Sequence, residues 1–493
     1  MKNRAVGMIF PLLPVMIGFY IPVVMVAIED QVFSTEPGTS IVAAADLLVV
    51  LSTIRIVAMA ALLATLIGLV DAILLAGTRG PLRGFILILL LASFLIPPAA
   101  LASAVQACVG ASTLRATVRD EIGAVLMLSL RWAPVAAAIL LAAVSMWPRA
   151  QERALRSLPP GVALIARLRG LRPAAFRCAG LLLLLLLPAA ELPSYAGVET
   201  VSQRILARLT VGDAAEGWRL AMVMVTLLVP AIYFLTSSGV EPARAGHLNE
   251  VHGLPRLPWA NRFLFLRVLP AVALILVLFY TAWPRASEVA IAGEELVDAV
   301  SSIGLELPRA LLASVVAILC GWRLADGGHR IGLLLLCLPT MLPGSLGAIA
   351  VARIYRPFLP LWLDDLPFLL TITQLCKLGA LAAASGFVAT CVLPASERVA
   401  AHLLSPTVAR WRIRLPRALP VLIPAIGIGV ALVLGEVEAT LLLAPPGHPS
   451  TALELHQMMH FRNDEQAARL ALVLAMLGAT LALLVGRCWK RGD

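Results

Sequence analysis

Charged residues are scarce in this chain of 493 amino acids: Asp, Glu, Lys and Arg together make up 14% of it, and 60% is hydrophobic. Soluble domains carry about 25% charged residues. The low charge and the mean hydropathy of +0.92 exclude an ordinary soluble protein. They indicate a polytopic membrane protein whose spans each need about 20 mostly apolar residues.

Two kinds of site are also missing from the sequence. The seven cysteines are scattered without a CxxC pair, which excludes a disulfide framework or a thiolate metal site. No phosphate-binding G-x-x-x-x-G-K-[ST] loop occurs, so we expect no ATP hydrolysis by this chain. The histidines 448, 456 and 460 show no i,i+4 spacing shared with the other half. We therefore expect no metal site and no catalytic residue.

The apolar segments predict an all-α membrane protein with about 12 transmembrane helices. They lie near 6–28, 54–78, 84–108, 122–147, 174–195, 218–236, 263–283, 306–325, 331–353, 366–393, 418–444 and 466–486. The first follows a basic start without a cleavage pattern, so we interpret it as a retained span. Arginines and lysines concentrate in the loops on the side of the N-terminus. This bias predicts that both termini are cytoplasmic, and it explains the formal charge of +10 without nucleic acid.

Charges and prolines recur at a spacing of about 245 residues, which indicates an internal repeat. The recurring pairs are Glu152 and Glu397, Arg167 and Arg412, Arg169 and Arg414, Glu191 and Glu436, Pro98 and Pro343, and, at 246, Arg131 and Lys377. We expect two parallel six-span repeats, 1–240 and 263–493, related by an axis along the membrane normal. A cytoplasmic linker, 241–262, joins them.

A basic loop lies between the fourth and fifth span of each half, at 148–173 and 394–416. In the second loop, "ASERVAAHLL" predicts a helix that Ser405-Pro406 ends, because proline disfavours helix in the residue before it. "TVARWRIR" predicts another short helix, up to Leu415-Pro416. The first loop repeats this order, with its break at Pro159-Pro160-Gly161. The repetition favours a docking site for a partner over helices lying on the membrane surface.

The second loop resembles the "EAA" loop in permease subunits of binding-protein-dependent ABC importers. It keeps the acid (Glu397), the alanines (Ala400, Ala401) and the distal Leu-Pro, with Ser405 and Pro406 where the family has a glycine. The first copy keeps Glu152, Ala154 and Gly161. The segment 435–461, "GEVEATLLLAPPGHPSTALELHQMMHF", resembles the segment that follows the fifth span in ferric-iron-type and thiamine-type permeases. In that subgroup two six-span units are fused in one chain.

This resemblance implies a subunit of the bacterial inner membrane that forms the path for the solute. It binds no cofactor itself; two separate ATPase subunits bind ATP and Mg²⁺, and a periplasmic binding protein delivers the substrate. Glu152 and Glu397 would accept hydrogen bonds from the ATPases. Arg167, Arg169, Arg412 and Arg414 would face either the ATPases or lipid phosphate.

Ionisable residues inside spans are costly and are therefore candidates for the translocation path. Arg131 and Lys377 would attract an anionic substrate, or else snorkel or pair with carboxylates. Glu191 and Glu436 would line a cation path or cap a gate, or else form an interhelical hydrogen bond. Pro98 and Pro343 would break the third spans and expose backbone groups to a cavity.

Two other classes of protein remain open at this point. A secondary transporter would use an ion gradient and would need no paired loops. A membrane scaffold would need no broken spans. The transported substrate is not identified by the sequence.

Overall fold

The computed structural model describes residues 2–26, 44–77, 119–145, 157–189, 191–211, 216–224, 289–358, 367–391, 395–445, 450–460 and 464–490, with isolated positions within 86–105 and 226–283 and at 393. Every regular element in these residues is a helix, in agreement with the predicted all-α class. The α-helices are α1 Lys2–Val15, α2 Ala44–Gly77, α3 Glu121–Ser145, α4 Pro160–Leu186, α5 Glu191–Tyr195, α6 Val201–Val211, α7 Val289–Asp326, α8 Arg330–Cys337, α9 Gly344–Tyr355, α10 Phe368–Lys377, α11 Gly379–Cys391, α12 Ala395–Leu403, α13 Pro406–Ala409, α14 Leu415–Leu434, α15 Glu438–Leu443, α16 Thr451–His460 and α17 Asp464–Lys490. Short π-helical segments, Met16–Tyr20 and Arg410–Arg414, and 3-10 segments, Leu338–Met341 and Arg356–Phe358, complete the described elements.

Five helical segments of the described chain are long and apolar enough to cross a bilayer, and seven if two bent helix pairs each count as one span. The protein is therefore a multi-pass membrane protein. The five are Met8–Val26, Asp46–Ala76, Glu121–Leu141, Val297–Asp326 and Pro406–Leu434. The pair α8 and α9 bends by 98°, and the pair α10 and α11 by 53°.

These seven segments coincide with seven of the predicted spans. Two more, 174–195 and 466–486, fall on α4 and α17. The other three, 84–108, 218–236 and 263–283, lie largely outside the described residues. The full set of 12 spans, the linker 241–262 and the twofold repeat therefore remain predictions.

Small residues let neighbouring spans approach closely, as is usual in membrane proteins. A Cβ added to Gly321 of α7 would lie 2.1 Å from the backbone oxygen of Ala382 in α11. One added to Gly386 would lie 2.5 Å from the backbone of Gly321. The two helices thus touch through their backbones, and glycine is required at this contact.

The second short helix predicted in each basic loop is not a separate element. In the first loop α4 runs from Pro160 to Leu186 without a break at Pro173. In the second, a π-helical turn, Arg410–Arg414, joins α13 directly to α14. The turn widens the helix ahead of Pro416, whose ring has no N–H to donate. Both prolines are therefore accommodated, and the loop helix continues into the fifth span.

Candidate functional site

A cavity of about 410 Å³ opens between the spans, bordered by α3, α4, α10, α11 and α14. Its walls are mainly aliphatic, with side chains such as Leu128, Leu185 and Leu432. Five ionisable residues interrupt this apolar surface: Arg131, Glu191, Lys377, Glu436 and Glu438. Charged groups at membrane depth are rare and usually serve a function, so this cavity is the candidate site.

The cavity gathers five of the six residues predicted for the translocation path: Pro98, Arg131, Glu191, Lys377 and Glu436. The sixth, Pro343, immediately precedes α9 at the bend of the broken span. Residues that the repeat pairs, Arg131 with Lys377 and Glu191 with Glu436, therefore border one common space. Their roles in transport remain predictions.

The broken span beside the cavity is held by two of these charged side chains. The backbone N–H groups of Gly344 and Ser345 donate to Oε2 of Glu438, at 2.6 Å and 3.4 Å. The ammonium of Lys377 donates to the backbone carbonyl of Leu342. Backbone groups freed by a helix break in a membrane must find partners within the protein. Lys377 and Glu438 provide those partners on the two sides of Pro343.

Glu436 has a similar structural task in the second half. Its two carboxylate oxygens accept the backbone N–H of Ala439 at 2.9 Å and 3.1 Å. The hydroxyl of Thr440 donates to the backbone carbonyl of Glu436 at 2.6 Å. Glu436 thus caps the first turn of α15 with its carboxylate.

The first half contributes the two charges that are less engaged. The guanidinium of Arg131 lies 5.8 Å from the ring centre of Phe94, a cation–π contact. Its Nη1 is buried and has no hydrogen-bond partner among the described residues. Glu191 lies close enough to interact electrostatically with Arg131, and it accepts a hydrogen bond from the backbone of Val437. Arg131 lines the cavity, and a rotation of its guanidinium would turn this enclosed donor toward a ligand.

The sequence did not reveal a buried polar network next to the cavity. Arg309 donates to Glu306 at 2.8 Å and to the side-chain oxygen of Gln374 at 2.9 Å. The other oxygen of Glu306 accepts the backbone N–H and the hydroxyl of Thr451, at 3.0 Å and 2.7 Å. This network ties α7 to α10 and to the start of α16. The sequence could have predicted this network from Glu306 and Arg309, two opposite charges three residues apart in one apolar helix.

The second basic loop is held in place by ion pairs within the chain. Both carboxylate oxygens of Glu397 accept hydrogen bonds from Arg417, at 3.0 Å and 2.5 Å. Asp326, at the end of α7, pairs with Arg414 at 2.7 Å and with Arg410 at 3.7 Å. Glu397 and Arg414, which we expected to face a partner, thus already have internal partners.

The same loop nevertheless exposes a set of apolar and basic side chains, which we call the docking face. Leu403 is 83% exposed, Trp411 64% and Val408 39%. Pro406 and Arg412 are exposed beside them, as is Ser405. Of the predicted alanines, both in α12, Ala401 is buried and Ala400 is half-buried.

In the first loop, Gly161 and Arg169 are exposed, whereas Arg167 is only 5% exposed. The predicted counterparts Arg167 and Arg412 therefore differ in their surroundings. Glu152 and Ala154 lie outside the described residues.

Comparison with known proteins identifies no relative: no family model, no curated protein and no solved structure matches the chain. In the part of the chain that the structure describes, no three His, Cys, Asp or Glu side chains lie close enough together to hold a metal ion. The cavity and the docking face are therefore the two features that indicate a function.

Proposed function

We propose that this chain is the membrane-embedded permease subunit of an ATP-driven importer. Two separate ATPase subunits would bind its cytoplasmic loops, and a periplasmic binding protein would deliver a small solute to the opposite side. The protein would lie in the bacterial inner membrane with both termini in the cytoplasm. It would translocate the solute and would not itself be an enzyme.

The docking face is the observation that carries this proposal. Two ion-pair groups, Glu397 with Arg417 and Asp326 with Arg410 and Arg414, hold the loop against the ends of the spans. Yet Leu403 and Trp411 stay largely exposed. An exposed apolar patch on an ordered segment marks contact with a protein or with the membrane, and we assign this one to a protein partner. Because α13 continues into a span, movement of the docking face would be transmitted to α14, which borders the cavity.

The charged cavity supports a role in transport. A scaffold needs no polar cavity between its spans, whereas a permease needs groups that replace part of the hydration of a solute. The break at Pro343 provides a bendable point in one cavity-lining span, and such broken helices occur at substrate sites of transporters.

Purification of the full chain from its native membranes in mild detergent tests the proposal. We expect two ATPase subunits for each copy of the chain, and we expect Trp411→Ala combined with Leu403→Ser to remove them. Val211→Ser, at another exposed apolar residue (85% exposed), should leave their association unchanged and serves as the control. Purification of the chain without ATPases would favour a secondary transporter, and a single partner of another type would favour a scaffold.

A further inference from the structure

The charges in the cavity differ in how much binding capacity they retain. Lys377 and Glu438 hold the backbone on either side of Pro343, and Glu436 caps α15. Arg131 keeps a buried N–H group without a hydrogen-bond partner in the described part of the protein. A buried, unsatisfied donor on a charged group is costly. Arg131 lines the cavity, so an oxyanion there would satisfy this donor after a rotation of the guanidinium.

A ligand at Arg131 also meets the carboxylate of Glu191, which interacts with the same guanidinium. The cavity holds two cationic side chains, Arg131 and Lys377, and three carboxylates. A purely anionic ligand would be repelled by these carboxylates, and a purely cationic one would be repelled by Arg131. A ligand with one charge of each sign satisfies both groups without changing the net charge of the cavity.

The rest of the cavity limits the size and character of the ligand. A volume of about 410 Å³ suits a small organic molecule. Aliphatic side chains, among them Val135, Leu381 and Ile428, form the remaining walls. They match a short apolar body between or beside the two charges.

We propose that the cavity binds a small zwitterion, an amino-acid-like solute whose carboxylate or phosphonate pairs with Arg131 and whose ammonium group faces Glu191. This inference rests on the proposed role as a permease and adds the class of its substrate. Binding is non-covalent, and the ligand enters and leaves unchanged.

Matched probes test the proposal on the purified full chain in lipid nanodiscs. Binding is measured by calorimetry for 2-aminobutyrate, 1-aminopropylphosphonate, butyrate and butylamine. We expect at least one zwitterion to bind about tenfold or more tightly than both singly charged compounds. Comparison of the carboxylate with the phosphonate identifies the preferred oxyanion. The proposal is overturned if a singly charged compound binds as tightly as the zwitterions, or if neither zwitterion binds.

Variants link the binding to the named residues. Arg131→Gln should weaken binding of the zwitterion about tenfold or more. Arg131→Lys keeps the charge but loses the planar guanidinium, so it should weaken binding less. Arg55→Gln is the control, because Arg55 pairs with Glu121 of α3 at an exposed position. If Arg131→Gln is unstable, Glu191→Gln provides the second test. In this variant the site should no longer bind the zwitterion more tightly than butyrate. Unchanged affinity in a folded Arg131→Gln protein contradicts the assignment.

This experiment needs no ATPase, so the two proposals can fail separately. Zwitterion binding by a chain that recruits no ATPase would refute the importer and retain the site. Recruitment of ATPases without zwitterion binding would refute the site and retain the importer.

Discussion

Glu438 accepts a hydrogen bond of 2.6 Å from the backbone N–H of Gly344, 94 residues away in the sequence. The carboxylate thereby caps α9 just after the break that bends this span by 98°. It also borders the cavity. One side chain thus connects the shape of a broken span with the charges at the candidate site.

Replacing this carboxylate should destabilise the break. Glu438→Ala leaves the N–H groups of Gly344 and Ser345 without their acceptor, at an expected cost of about 1–3 kcal/mol. Glu438→Gln keeps an acceptor oxygen and should lose less. Thermal unfolding in detergent measures both, with Glu294→Ala, at an exposed position of α7, as the control. Equal melting temperatures for Glu438→Ala and the control would show that the cap contributes nothing.

The glycine contact between α7 and α11 gives a second prediction. Gly321→Ala should lower the free energy of unfolding by about 1–3 kcal/mol, because the added methyl group overlaps the backbone of Ala382. Gly304 lies in the same helix with nothing within 4 Å of an added Cβ. Gly304→Ala should therefore be neutral or stabilising by up to about 1 kcal/mol. A loss of stability in Gly304→Ala as large as that in Gly321→Ala would contradict this packing.

The loop ion pair predicts a rescue by charge exchange. Glu397→Lys places two cations together at Arg417 and should uncouple ATP hydrolysis from uptake while the protein stays in the membrane. The double variant Glu397→Arg with Arg417→Glu restores an internal pair and should recover coupling. Measurement of both ATP hydrolysis and uptake in membrane vesicles distinguishes a structural role of the Glu397–Arg417 pair from direct contact of Glu397 with the ATPase. Failure of the exchange, with normal folding, would mean that Glu397 itself contacts the ATPase.

Glu454 on α16, outside the spans, gives a pH prediction. Partial burial raises the pKa of this carboxyl above its usual value of 4.5, although a hydrogen bond from Ser302 at 3.3 Å opposes the shift and nearby Glu306 and Asp298 add to it. A raised pKa in the folded state means that Glu454 destabilises the protein increasingly as the pH rises through that pKa.

Glu454→Gln should therefore raise the melting temperature at pH 7 relative to the unsubstituted protein, and the difference should vanish near pH 4. Ser302→Ala, which removes the hydrogen bond to the carboxylate, should increase the pH dependence. A difference in melting temperature that is the same at both pH values would contradict the shift.

The sequence predicted the helical class, several spans and four of the five ionisable residues of the cavity, because apolar length and isolated charges are local signals. Arg131 and Lys377 stood out as single charges in apolar runs. Pro343 marked the break, since proline removes a backbone donor. These features depend on a few neighbouring residues and can be read without the fold.

The sequence could not predict which residues pair with each other by hydrogen bonds and ion pairs. Glu397 was expected to contact an ATPase, but Arg417 lies within reach only because a turn brings α12 back to α14. The bend of 53° between α10 and α11 could not be predicted from a proline, because none lies at this position. The hydrogen bond from Gly344 to Glu438 joins segments 94 residues apart. Such contacts are set by packing between distant helices.

The most direct test of the proposed coupling follows the two basic loops during ATP binding. Spin labels at Ser157→Cys and Val399→Cys, both at exposed positions, in a chain without its native cysteines, report the distance between the two loops by pulsed electron resonance. We expect ATP to shorten this distance when the ATPase subunits are present, and to leave it unchanged when they are absent. A distance that does not change when ATP is added to the assembled complex would contradict the proposed function.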